Sequence, residues 1–154
     1  MTHLKVGDVA PDFTLPNQQG TIIRRSDFTG KKLVIYFYPK DFTPGCTHET
    51  INLSSHYDAL RAAGLEVVGI SPDSVESHRK FADQYHVPFD LLSDEDHTVA
   101  EAYGVWGEKK LYGKTYIGIH RTTFLVDETG TIFHIFKRVK VKEHAQQILS
   151  RITS

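Results

Sequence analysis

Residues 33 to 46 read Leu-Val-Ile-Tyr-Phe-Tyr-Pro-Lys-Asp-Phe-Thr-Pro-Gly-Cys, an apolar run that stops at a proline and passes straight into helix-start chemistry. The run Leu33–Tyr38 is rich in β-branched and aromatic types and shows no polar alternation, as expected of a strand buried on both faces. Thr43 is a preferred N-cap type and Pro44 a preferred first helical residue, so Cys46 falls in the first turn of the helix that follows. From there Thr50, Leu53, Tyr57, Leu60 and Gly64 recur at steps of three and four, which predicts one helical face over 43–64. Glu66–Ser71 repeats the buried-strand composition. The three pieces form a β-α-β unit.

Working outward, Ser74–His86 carries Val75, His78, Phe81, Ala82 and Tyr85 at helical spacing and leads into a short strand at Phe89–Leu92. Thr122–Val126 and Thr131–Phe136 read as two strands joined by the turn residues Glu128-Thr129-Gly130, and a helix is expected from about Lys142 to Ile152. Upstream, Phe13–Leu15 and Thr21–Arg25 flank an Asn17–Gly20 turn and predict a hairpin. Strands alternating with helices and ending in an antiparallel pair imply an α/β, thioredoxin-like fold: a mixed central sheet with helices on both faces and an N-terminal β-hairpin. No repeat, low-complexity tract or linker interrupts the 154 residues, so one domain is expected over 1–154.

Composition narrows the function. Lys plus Arg number 18 against 19 Asp plus Glu, a net charge of −1, so no positive field exists to gather nucleic acid. The longest apolar run, Leu33–Tyr38, is far short of the roughly 20 residues of a spanning helix. Met1–Phe13 is broken by Lys5, Asp8, Pro11 and Asp12 and carries no apolar core of a secretory signal, so the cytoplasm is the expected location. Nine histidines are scattered without the i, i+4 spacing of a zinc helix, and surface or local hydrogen-bonding roles are expected for them rather than metal binding. Neither a metal nor a cofactor is expected. Trp106 follows a short helix in what reads as a loop, and packing is its expected role.

Cys46 is the only cysteine, so intrachain disulfides and cysteine-based zinc sites are excluded. Backbone N–H groups and the positive end of the helix dipole favour a thiolate over a thiol in a first helical turn, which makes Cys46 a candidate nucleophile. Glu49, about one turn further along, either pairs with a cation or faces solvent.

The pattern Pro39-x-x-x-Thr43-x-x-Cys46, with Arg121 in His-Arg-Thr-Thr-Phe-Leu, resembles the active-site signature of peroxiredoxins. Tyr36–Asp41, Leu91–His97 and Gly104–Lys109 extend the likeness to the bacterioferritin comigratory protein or peroxiredoxin Q subgroup, from about Val6 to the C-terminal helix. The resemblance implies that Cys46 attacks hydrogen peroxide or organic hydroperoxides, while Thr43, the Cys46 N–H and Arg121 stabilise charge and Pro39 screens the sulfur from water. Glu49, one turn after Cys46, is a candidate to support Arg121 by pairing with it, the alternative being that it faces solvent. Members of the subgroup carry a resolving cysteine where Ile51 or Val99-Ala100 stands here. An external thiol must therefore return the sulfenic acid to thiol, whether thioredoxin, glutaredoxin with glutathione, or a small thiol. A monomer or weak homodimer is expected.

Three other readings compete. A dithiol oxidoreductase needs a second cysteine where Glu49 stands. A cysteine hydrolase needs a histidine on the same face as Cys46, and His48 points elsewhere. A non-enzymatic redox sensor, oxidised once at Cys46 and read by a partner, stays chemically open and is separated from the peroxidase by turnover.

Overall fold

The computed structural model describes residues 2–152. A short hairpin, β1 (Thr14–Pro16) and β2 (Ile22–Arg24), opens the chain, and its turn is held by Asn17 Oδ1, which accepts from the N–H groups of Gln19 and Thr21. The main sheet contains β3 (Lys32–Phe37), β4 (Leu65–Ser71), β5 (Asp90–Ser93), β8 (Thr122–Val126) and β9 (Ile132–Phe136) in the order β5-β4-β3-β8-β9. β3, β4 and β5 are mutually parallel, while β8 pairs antiparallel with β3 and β9 antiparallel with β8, so the sheet is mixed as expected. Central β3 is buried from Leu33 onward, which explains its unbroken apolar composition.

Side chains alternate across β3 and build two cores. Val34, Tyr36 and Tyr38 face one side together with Leu53, Leu60, Phe81 and Ile148 of the helices α1 (Pro44–Ser55), α2 (Tyr57–Ala62), α3 (Val75–Tyr85) and α5 (His144–Ile152). Leu33, Ile35 and Phe37 face the other side, covered by Ala10, Phe13 and Leu15 and by Ala100 of the short helix α4 (Thr98–Ala102). Helices thus lie on both faces, with α4 and the short 3-10 helix Arg25–Phe28 on the second. In the register of β3 and β4, Tyr36 is paired with Gly69, and a Cβ on Gly69 would come within 2.7 Å of the Tyr36 ring. Tyr36 is fully buried there, and its hydroxyl bonds the Thr50 hydroxyl of α1 at 3.0 Å.

Two expectations are corrected. The helical stretch 43–64 is two helices, broken at His56, whose φ of −106° and ψ of 12° leave the helical range. Trp106 does not lie in a loop: it begins β6 (Trp106–Leu111), which pairs with β7 (Lys114–Ile119) in a separate hairpin. Its packing role holds, since its ring stacks on His97 with centroids 4.0 Å apart. No helix of the described residues is long and apolar enough to cross a membrane.

Candidate active site

The chain leaves β3 at Tyr38, passes half-buried Pro39 and exposed Lys40, and enters α1 through Thr43, whose backbone is extended as an N-cap requires. Thr43 caps by backbone geometry only. Its hydroxyl makes no bond to the helix N–H groups and instead donates to the Lys40 carbonyl at 2.6 Å, so its hydrogen is already committed and the oxygen is left as an acceptor. Pro44 takes the first turn, where its missing N–H costs nothing. Cys46 follows at 1% exposure, at the edge of the core that includes Tyr36 and Tyr38.

Arg121, just before β8, reaches across to α1. One guanidinium nitrogen, Nη2, donates to Cys46 Sγ at 3.3 Å, and the other, Nη1, donates to Glu49 Oε1 at 2.6 Å. The guanidinium passes so close to Gly45 that a Cβ there would lie 3.2 Å from Nη2. A cation held against the sulfur stabilises a thiolate, and the planar fork lets one side chain serve two partners. Of the two alternatives for Glu49, pairing with Arg121 is the one realised: the residue is fully buried.

Glu49 is not comfortable there. Burial pushes its carboxyl up to about 7 from an ordinary 4.5, although the Arg121 charge and hydrogen bond pull the other way. Its second oxygen, Oε2, has no hydrogen-bond partner and faces His144 Nε2 at 3.8 Å. His144 is also fully buried. Its Nδ1 faces Gln147 Oε1 at 2.9 Å, an acceptor that also takes the Lys140 N–H, so Nδ1 carries the hydrogen and Nε2 accepts from the Thr123 hydroxyl at 2.8 Å. Burial, with the Arg121 charge adding to it, pushes His144 down to about 4, in keeping with this neutral ring. Asn52 ties α1 to α5 beside this pair, donating to the Lys142 carbonyl and accepting from the Ala145 N–H.

A second polar cluster flanks the same helix start. Asp41 accepts from the Tyr38 hydroxyl at 2.6 Å, the Ser77 hydroxyl at 2.9 Å and His78 Nδ1 at 2.7 Å. Its N–H donates to Asp73, which also accepts from Ser71, and His78 Nε2 faces the Leu92 carbonyl at 3.1 Å. Asp41, Asp73 and His78 bring three potential metal-ligand atoms within 4.8 Å of one another, and all three side chains take part in hydrogen bonds. The cluster fixes the loop in front of Phe42, which adopts a φ of 65° and lays its ring against Phe81 at 5.0 Å. Such a backbone persists in a non-glycine residue only when its surroundings hold it.

Sequence reasoning placed Cys46, Arg121, Thr43 and Pro39 around one helix start, and the structure brings Arg121 into direct contact with both Cys46 and Glu49. It missed His144, Thr123, Asp41 and His78. Of the surface or local hydrogen-bonding roles expected for the histidines, His78 and His144 take the second, since both are fully buried and hydrogen-bonded. Among the described residues no histidine bonds Cys46 Sγ, and His48 is exposed.

A family model described as the AhpC/TSA family matches residues 6–135. A Haemophilus influenzae protein described as a putative peroxiredoxin Bcp is 50% identical over 154 residues, covering 100% of this chain and 99% of that protein. Peroxiredoxin Bcp of Escherichia coli is 48% identical over 97% of this chain and 96% of that protein. A solved structure of Xanthomonas campestris bacterioferritin comigratory protein, a protein with alkyl peroxide reduction activity, superposes with a TM-score of 0.88 at 36% identity, covering 99% of this chain and 97% of that one.

Proposed function

Since the chain belongs to the AhpC/TSA family and within it to the Bcp-type peroxiredoxins, which are thiol peroxidases, we propose that its reaction centre is Cys46, supported directly by Arg121 and at one remove by Glu49. The observation that carries this assignment is the 3.3 Å contact from Arg121 Nη2 to Cys46 Sγ in the first turn of α1. The Cys46 thiolate attacks the terminal oxygen of a hydroperoxide, the S–O bond forms as the O–O bond breaks, and the departing alkoxide takes a proton to leave as an alcohol. Arg121 stays beside the reacting atoms throughout, offering fixed donors where negative charge moves from sulfur to oxygen. Thr43 supplies an oxygen at the mouth of the site, and Pro39 walls the loop in front of it.

With one cysteine in the chain, the sulfenic acid is reduced by an external thiol. A sulfur that is 1% exposed meets a small thiol more easily than a second folded copy, so we read the protein as a monomer or weak homodimer acting on hydrogen peroxide and organic hydroperoxides in the cytoplasm. Cys46→Ser keeps the size of the side chain and removes the nucleophile, so peroxide consumption with a thiol donor falls to background while the circular dichroism spectrum is unchanged. A folded Cys46→Ser protein that still turns over peroxide would overturn the assignment. Consumption of a single equivalent by the wild type, with excess thiol present, would favour the sensor instead.

A further inference from the structure

Arg121 has a second face. Away from the sulfur it lines a cavity of about 500 Å³, within the range of small-molecule sites, together with Lys109 of β6, His120, and Lys137 and Arg138 just beyond β9. Among the described residues no carboxylate lines it. Among the described residues, neither Lys109, Lys137 nor Arg138 has an acidic side chain within ion-pair distance. Lys109 is held in place by a 2.7 Å bond from Nζ to the Ile119 carbonyl, and burial together with the Arg121 charge lowers it from its ordinary range while the Cys46 charge opposes this. In a chain of net charge −1, this much uncompensated positive charge around one concavity costs self-repulsion that an anionic ligand relieves. Lys and Arg donors converging from three separate segments suit carboxylates.

Taking Cys46 as the peroxidatic residue, on which this inference rests, we propose that the cavity docks a low-molecular-weight thiol bearing carboxylates, held by Lys109, Lys137 and Arg138, as the reductant of oxidised Cys46. The cavity meets the need set by the lone cysteine: an external sulfur has to be delivered to a buried one, and Arg121 is the wall the two sites share. The ligand's thiolate attacks the sulfenic sulfur of Cys46, the S–S bond forms, the S–O bond breaks, and hydroxide leaves as water after taking one proton. A second thiolate then attacks the ligand sulfur of that mixed disulfide, releasing the small disulfide and the Cys46 thiolate. Two thiols thereby supply the two electrons taken by the peroxide.

The experiment oxidises the protein with one equivalent of hydrogen peroxide, verifies the gain of one oxygen by intact mass, and then mixes it with glutathione, 2-mercaptoethanol or cysteamine. The rate of mixed-disulfide formation is read per thiolate for the wild type and for the charge-reversed Lys137→Glu/Arg138→Glu protein. In the wild type the anionic thiol outpaces the cationic one by roughly tenfold at low salt, the advantage shrinks as salt is raised, and the double variant cancels it. The same ratio of rates in both proteins would overturn the proposal. A parallel arm compares a carboxylate-bearing hydroperoxide with tert-butyl hydroperoxide on the reduced protein. If the double variant alters that ratio but not the thiol ratio, the cavity serves the oxidant and the proposal is wrong. Failure to gain one oxygen before any thiol is added would instead overturn the peroxidatic reading of Cys46, a result distinct from failure of the docking step.

Discussion

Two buried polar clusters adjoin the start of α1, and they are finished to different degrees. Around Asp41 and Asp73, the side-chain oxygens named in the site collect hydroxyl, ring and backbone N–H donors, and both nitrogens of His78 meet acceptors. Around Glu49, one oxygen is bound by Arg121 and the other has no donor. Satisfied buried groups rigidify a fold, whereas an unsatisfied one is destabilising and leaves charge unbalanced. The completed cluster holds the loop; the incomplete one stands next to the reactive sulfur. Burial holds the Glu49 carboxyl up to about 7, so near neutral pH a fraction of it carries a proton and neutralises Arg121 less than a full carboxylate would, which leaves more of that cation for Cys46.

The largest effect should come from breaking the completed side. His78→Ala strips Asp41 of its ring partner inside the core and leaves a buried carboxylate one hydrogen bond short, which costs about 3 kcal/mol. Urea denaturation measures this, and a loss under about 1 kcal/mol would show that the cluster is not what holds the loop. On the incomplete side, Arg121→Lys keeps the charge but not the fork, so it cannot serve Glu49 and Cys46 together. Oxidation of Cys46 by peroxide should slow by roughly 10²-fold, comparable to removal of one charge-stabilising donor, with an unchanged rate placing Arg121 outside the reaction.

The pH dependence of stability sharpens the contrast further. Glu49 is raised to about 7 in the fold, so the folded state holds the extra proton and stability falls as pH rises from about 4.5 to about 7. His144 is depressed to about 4, so its contribution runs the other way, rising with pH from about 4 to its ordinary 6.5. The two slopes oppose each other where they overlap. Glu49→Gln removes the falling one, and its stability relative to wild type should improve by on the order of 2 kcal/mol between about pH 5 and about pH 7.5. Parallel curves for the two proteins would mean that Glu49 does not titrate in this range. The smallest change is Thr123→Val, which deletes the donor to His144 Nε2 at nearly constant volume and should cost about 1 kcal/mol in a thermal melt.

What the sequence revealed and what it concealed divide along physical lines. The run Leu33–Tyr38 and the helix start at Thr43-Pro44 are local signals, readable because composition alone determines a doubly buried strand and a first helical turn. The hairpin β6–β7 escaped because Trp106–Leu111 is largely exposed and charged, pairing with nothing in the main sheet. Its one cue was Tyr112-Gly113, a two-residue turn with both φ values positive. His144 escaped for a different reason: a histidine is polar by type, and only its alignment with Ala145, Ile148 and Ile152 on the apolar side of α5 betrays burial. His78, on the same face as Phe81 and Ala82, is the parallel case. The contact of Glu49 with Arg121 joins residues far apart in the chain, which no local pattern encodes.

The pairing of Tyr36 with Gly69 carries a consequence for how such a chain can change over generations. Every glycine codon becomes an alanine codon through one base, so that substitution is among the most accessible a genome offers. At position 69 the added methyl would arrive 2.7 Å from a ring that is walled in on every side and whose hydroxyl holds Thr50 of the helix bearing the nucleophile. A lineage crosses that step only by trimming the aromatic residue at 36 as well, so the two positions, on neighbouring strands, are inherited as a single choice.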